Sequence, residues 1–258
     1  LVREKGIDQE ELYSSLDLVA LATIADMVPL NQENRTLVRY GLKALARTKL
    51  PGLRALMARA GLGDGSIDAG QIGFRIAPRI NAAGRMEEAM TALELLMSDD
   101  EAHTSALADR LEDANDLRRE EEARTLREAL DQLGGAFDPA KDFGVVLEGE
   151  GWHPGVIGIV ASRIVERIHR PTVLIAVTDG QGRGSARSIP GFDLFAAIDA
   201  CREHLGRFGG HRQAAGMDIP ADRIGGFRDE FKAEVRDRLR GEQPRPVIRP
   251  QLEIPLEA

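Results

Sequence analysis

The chain has 258 residues, 43% of them hydrophobic and 29% charged, an ordinary globular composition that excludes whole-chain disorder, collagen or a coiled-coil rod. No apolar run approaches the ~18 residues of a membrane span, and the single cysteine, Cys201, excludes an internal disulfide and fits a reducing cytosol. The net charge of −8 excludes a global basic field, so nucleic-acid binding would have to rest on a local patch.

The chain opens on leucine with no signal-peptide pattern, which suggests a fragment of a longer protein. Residues 14–60 are helical and apolar. SSLDLVALATIADMVPL offers N-caps at Ser14 or Ser15 and runs apolar to Pro29, with Asp26 the only charge between Asp17 and Glu33. NQENRTLVRYGLKALAR (31–47) sets Leu37, Val38, Leu42 and Leu45 at helical spacing, and LRALMARAG is a third helix closed by Gly61. No glycine or proline occurs from Arg85 to Leu133, and Ser98 followed by Glu101 predicts a capping box. The helix from about 99 to 133 would be ~50 Å long. Leu107, Leu111, Ala114 and Leu117 make one apolar stripe on it, and Leu126, Leu130 and Leu133 another. The charged LRREEEAR between them suits a solvated bridge between two domains, or a long surface helix within one. After Gly134-Gly135, strands at 143–149, 171–177, 183–189 and 214–219 alternate with helices at 153–168, 192–205 and 224–239. Such alternation predicts an α/β domain. The tail is proline-rich and then strand-like.

Four segments place chemistry-bearing residues in unusual settings. Asp26 sits in an apolar stretch, where a carboxylate needs a cation, an arginine or a helix end to satisfy it. In FRIAPRINAAGRM (74–86), Arg75, Arg79 and Arg85 flank Asn81 and small residues; this is either a phosphate-facing segment or a structural turn with solvated arginines. In GRGSARS, Gly182 and Gly184 permit positive φ, and Ser185, Ser188, Arg183 and Arg187 offer donors suited to a phosphate nest. It is not a P-loop, and residues 183, 185 and 187 share one face if the segment is extended. In FGGHRQAAG, His211 follows two glycines in a loop, suited to bond a phosphate, pass a proton or ligate a metal, or simply to pack the loop; His153 opens a helix, where it serves as a cap or faces an anion. Arginine supplies 29 of the 34 basic residues, which fits forked recognition of planar anions and equally a GC-rich genome. Cysteine clusters and HExxH, GxSxG and Rossmann fingerprints do not occur.

Taken in order, LDLVALATIADMVPLNQENRTLVRYGL, GFRIAPRINAAGRM, LEDANDLRREEE, HPGVIGIVASRIVERIHRPTVLIA, GRGSARSI and FGGHRQAAGM resemble the bacterial RecJ-type single-strand-specific exonucleases of the DHH phosphoesterase family. The resemblance implies an α/β fold. Residues 1–97 would be the end of a DHH domain and 98–134 a long connecting helix that sets the width of a cleft. Residues 135–243 would be a DHH-associated nucleotide-binding domain, and 244–258 the start of a truncated oligonucleotide-binding domain. It implies 5′-to-3′ hydrolysis of single-stranded DNA in repair and recombination, with Mn²⁺ or Mg²⁺ at a two-metal site. Asp26 would be the catalytic and metal residue this chain supplies, with the other ligands outside it. Arg79, Asn81, Arg85, Ser185, Arg187 and His211 would bind substrate. It further implies a cytoplasmic setting, no membrane, and single-stranded-DNA-binding protein and a helicase as partners. A phosphodiesterase of short oligonucleotides or cyclic dinucleotides, or a non-catalytic DNA-binding relative, fits the same motifs.

Overall fold

The computed structural model describes residues 6, 9–63 and 65–247. The expected opening strand of an oligonucleotide-binding domain, from about Ile248, lies outside the described residues. The chain divides into two compact units, Leu1–Arg119 and Glu120–Ala258.

The first unit is helical: α1 (Gln9–Ser14), α2 (Leu16–Ala25), α3 (Gln32–Leu45), α4 (Pro51–Arg59), α5 (Ala69–Gln71), a π-turn (Ile72–Ile76), α6 (Ala77–Met86) and α7 (Met90–Met97). Small residues allow close helix contacts here. A Cβ on Gly41 of α3 would lie 2.3 Å from the Leu16 carbonyl oxygen and 2.6 Å from Ala20 Cβ. Leu45, Leu53, Leu56, Ile72, Ile76, Leu95 and Leu111 form the core. The buried carboxylate of this region is Asp17, which accepts from Thr48 Oγ1 at 2.7 Å and from the Leu18 N–H at 2.6 Å. PRINAAGR, open between a turn and a ligand-facing segment in the sequence, is helix α6, entered through the π-turn.

α8 (Glu101–Ala136) runs from the first unit into the second. Its cap is Asp100, whose Oδ1 accepts from the N–H groups of Ala102 and His103, so the expected Ser98–Glu101 capping box is not the device used. Two further expectations change along this helix. Leu117 is 48% exposed and leaves the first stripe, while Glu122 in the charged middle is buried and paired with Arg163. The middle of the helix is therefore not solvated all round, because an arginine from α9 reaches it.

The second unit is α/β, with a five-stranded sheet in the order β1-β2-β3-β5-β4. β1 (Val145–Glu150) leads through α9 (Pro154–Ile168) to the parallel β2 (Thr172–Thr178). The remaining pairs are antiparallel: β3 (Gln181–Arg187), β4 (Phe208–His211) and β5 (Ala214–Pro220). Asp179 and Gly180, with φ of 48° and 74°, make the tight β2–β3 turn that a right-twisted hairpin favours. Alternating side chains divide the sheet. Leu147, Leu174 and Ala176 pack under α9, and Val173, Ile175, Ala186, Met217 and Ile219 pack against α10 (Leu194–Ala200) and α11 (Ile224–Arg238). At the outer edge of β1, Gln132 Nε2 and Arg228 Nε donate to the carbonyls of Glu148 and Val146, which occupies an otherwise open edge.

Candidate functional site

In β3, residues 182, 184 and 186 turn to the α10–α11 core, and 183, 185 and 187 turn to the opposite face. Neither Gly182 nor Gly184 has a positive φ. A Cβ on Gly182 would lie 2.7 Å from Ile175 Cγ2, and one on Gly184 2.7 Å from Met217 Cγ. These glycines serve sheet packing, and the phosphate nest suggested by the sequence does not form.

The opposite face carries the polar groups. Arg187 pairs across the ladder with Ala214, and Ala214 pairs with His211. Directly paired residues share a face, so the arginine and the histidine flank a single methyl group, with their Cα atoms about 10 Å apart. The neighbouring row is Ser185, Gly216 and Gly209. A Cβ on Gly209 would meet nothing within 4 Å, and one on Gly216 only the Gly184 oxygen at 3.9 Å. These two glycines leave open floor on which a ligand can approach the backbone.

Arg187 Nη1 donates to Ser185 Oγ at 3.1 Å and to the Ala186 carbonyl at 2.8 Å. Above this pair α9 presents Gly158. His211 lies at the end of strand β4 rather than in a loop, and its Nδ1 accepts the Gln213 N–H at 3.2 Å. In the neutral ring this leaves the proton on Nε2 as a donor. Gly210, with φ 152°, places His211: a Cβ there would lie 2.4 Å from the Ala214 oxygen. His153 Nδ1 accepts the Gly155 N–H at 3.0 Å, which makes it the N-cap of α9. Beside Ser185 opens a cavity of about 540 Å³ lined by Pro154, Ile157, Arg183, Arg207 and Asp218. Both arginines contact the Asp218 carboxylate, at 3.6 and 3.3 Å. Neither Arg187 nor His211 lines that cavity.

The other expected residues lie in the first unit. Asn81 and Arg85 are exposed one turn apart on α6. Arg79 is differently employed. Its Nε and Nη2 fork the Glu112 carboxylate at 2.5 and 2.8 Å, and its Nη1 donates to the Arg75 carbonyl. These bonds tie α6 to α8. Of the settings the sequence left open for Asp26, the structure shows the helix end. Asp26 is exposed at the C-cap of α2, because the helix ends at Ala25 and the apolar run before it is what packs. Val28 N–H bonds the Thr23 carbonyl and Met27 N–H that of Ile24, closing the helix around Asp26 with Met27 at φ 54°. Among the described residues no three His, Cys, Asp or Glu side chains gather to hold a metal ion. Asp26 alone does not make a divalent-metal centre. What the described residues do assemble is a face that carries Ser185, Arg187 and His211 beside open glycine backbone.

Residues 141–237, a span that includes the whole sheet, match the DHHA1 domain. The chain is 39% identical over 230 residues to the single-stranded-DNA-specific exonuclease RecJ of Bacillus subtilis and 41% identical over 244 residues to that of Thermus thermophilus. These alignments cover 88% and 92% of this chain. This chain is homologous to RecJ. It spans 29% and 35% of the length of those two relatives, so it corresponds to part of RecJ. The crystal structure of Thermus thermophilus RecJ in complex with Mg²⁺ superposes with a TM-score of 0.82 at 37% identity, covering 95% of this chain and 37% of that one. A structure of exonuclease RecJ bound to manganese gives 0.80 at 37% identity, covering 93% and 60%. Ser185, Arg187 and His211 all fall within the DHHA1 match.

Gly158, the floor glycine Gly216, and the Arg183–Asp218–Arg207 group were not legible in the sequence. Strand alternation around GRGSARS predicts that 183, 185 and 187 share one face, as they do in β3. The pairing of β3 with β5 and of β5 with β4, which builds the rows, is long-range.

Proposed function

We propose that this chain is the part of a single-stranded-DNA-specific 5′-to-3′ exonuclease that holds the strand, and that Ser185, Arg187 and His211 grip its phosphate. The observation that carries this is the row Arg187–Ala214–His211 beside an open glycine floor, in a chain homologous to RecJ. A forked guanidinium, a hydroxyl and an imidazole N–H on one face supply charge-assisted donors to a phosphate, and bare backbone lets a sugar-phosphate lie close. On the helical unit, Asn81, Arg85 and Arg79 are the further substrate contacts, with Arg79 also holding α6 in place through Glu112. Asp26 is the one carboxylate this chain offers to a Mn²⁺ or Mg²⁺ centre whose other ligands lie elsewhere. The division at 1–97, 98–134, 135–243 and 244–258, a role in DNA repair and recombination, a cytoplasmic setting, and single-stranded-DNA-binding protein and a helicase as partners belong to the same proposal and rest on the RecJ resemblance. The described residues contain no helix long and apolar enough to cross a membrane.

The test is titration of a 5′-phosphorylated single-stranded oligonucleotide at fixed salt. One charge-assisted bond is worth about 1.5–3 kcal/mol, so Arg187→Ala should weaken binding roughly 10- to 150-fold. Arg187→Lys should restore only part, because lysine lacks the fork. Equal affinity of Arg187→Ala and wild type would remove the proposal.

A further inference from the structure

Four cations recur at every fourth position along one flank of the helical unit. Arg35, Arg39 and Lys43 lie on α3, and Arg47 follows just past its end. All four are exposed, and none makes an ion pair with a described residue. Five other arginines of the unit, Arg54, Arg59, Arg79, Arg110 and Arg119, each meet a carboxylate, and Arg75 donates to the Gly61 carbonyl. Glu33 is the only acidic residue of α3. The opposite side of the helix is fixed in the core by Val38, Gly41 and Leu45, so the row cannot turn away from solvent. Like charges four residues apart oppose helix formation. A protein of net charge −8 thus maintains an uncompensated positive ridge.

The ridge has the dimensions of an extended strand. Four residues of helix rise about 6 Å, so the cations stand close to the repeat of successive phosphates along an extended single strand, and they wind by about 40° per step. Tyr40, 54% exposed, lies among them with Lys43 Nζ 5.4 Å from its ring centre. Aromatic faces between cations suit stacked bases. A groove of about 710 Å³ runs beside Lys43 and Arg47, with Ser66 and Ile67 on its other wall.

We infer that Arg35, Arg39, Lys43 and Arg47, with Tyr40, form a second contact for single-stranded nucleic acid, separate from the Ser185–Arg187–His211 row. The inference deepens the proposed function, since it assigns where further nucleotides of the same polymer are held.

The experiment uses the 258-residue chain and a fluorescent oligothymidylate of about 20 nucleotides, titrated across a salt series, with thymidine 5′-monophosphate as the short ligand. The triple variant Arg39→Gln/Lys43→Gln/Arg47→Gln should bind the oligonucleotide roughly 10- to 100-fold more weakly at low salt. Its log–log salt slope should be shallower by about 2, at roughly 0.7 per lost single-strand contact. Its affinity for the mononucleotide should be unchanged. Arg187→Ala should lose the mononucleotide while its salt slope becomes shallower by only about 0.7, one contact's worth. An unchanged slope and affinity in the triple variant overturns the inference and leaves the Arg187 site standing. A shallower slope in the triple variant, together with full mononucleotide affinity in Arg187→Ala, removes the proposed site and keeps the ridge. Competition by polyglutamate as effective, charge for charge, as by the oligonucleotide would show an acidic-polypeptide surface and overturn the nucleic-acid assignment.

Discussion

Gly158 of α9 stands directly over Arg187 of β3: a Cβ at Gly158 would lie 2.7 Å from Arg187 Nη2 and 2.9 Å from Ser185 Oγ. The absence of a side chain on the helix is what lets the guanidinium and the hydroxyl meet on the strand. Gly158→Ala should therefore separate stability from binding. Alanine favours the helix by up to about 1 kcal/mol over glycine, and the atoms it meets are flexible side-chain ends. The variant should melt at or above the wild-type temperature yet bind a 5′-phosphorylated oligonucleotide about tenfold more weakly, one bond's worth. Thermal melting and titration of the same sample check both halves. A loss of stability with binding intact would mean that the contact is packing alone.

Met27 holds a left-handed conformation, φ 54°, while its side chain is 88% exposed. The αL position after a helix favours glycine, and an exposed methionine there has little packing to offset its strain. Met27→Gly should stabilise the chain by about 1 kcal/mol, read as a shift in denaturant midpoint without a change in m-value. A destabilised variant would show that the side chain makes contacts that outweigh the backbone term.

The Arg79–Glu112 pair is forked and poorly exposed, with side-chain exposures of 14% and 25%. A double-mutant cycle with Arg79→Ala and Glu112→Ala should return a coupling of about 1–3 kcal/mol in stability. Arg79→Lys should recover less than half, since only the fork matches both oxygens. Coupling near zero would show that Glu112 does not hold Arg79 and that its fork is free to meet a phosphate.

Cys201 is fully buried and its Sγ lies 3.3 Å from the Ala197 carbonyl oxygen. Burial, with Glu230 and Glu234 adding, pushes its thiol up to about 12. The folded chain should resist thiol reagents at about pH 9, with labelling limited by unfolding. The unfolded chain ionises first, near the ordinary thiol value of about 8.5, so the native state binds the extra proton and stability falls as pH rises above that point. Rapid labelling under native conditions would contradict this burial.

With Asp26 as its one offered carboxylate and no three-ligand cluster among the described residues, the 258-residue chain should show no Mn²⁺-dependent nuclease activity by itself. Cleavage of single-stranded DNA by the purified chain at a level near a full-length relative would place a complete metal centre within it.

Local signals determined a large part of this protein. Helical periodicity and breaker residues marked α2, α3, α4 and α8, and the alternation of β-branched runs with amphipathic segments marked β1, α9, β2 and α11, because these elements are written in contiguous residues. The same signals singled out Ser185, Arg187 and His211, since strand period places 185 and 187 on one face. Tertiary structure decided the rest. Whether Arg79 meets a phosphate or Glu112 depends on a residue 33 positions away. Whether the buried carboxylate is Asp26 or Asp17 depends on where α2 ends and on Thr48 from another segment. Gly182 and Gly216 look alike in the chain, yet one is closed by Ile175 and Ile219 and the other opens onto empty space. A glycine records only that a side chain is absent; what occupies that space is set by strands and helices brought together from distant parts of the chain.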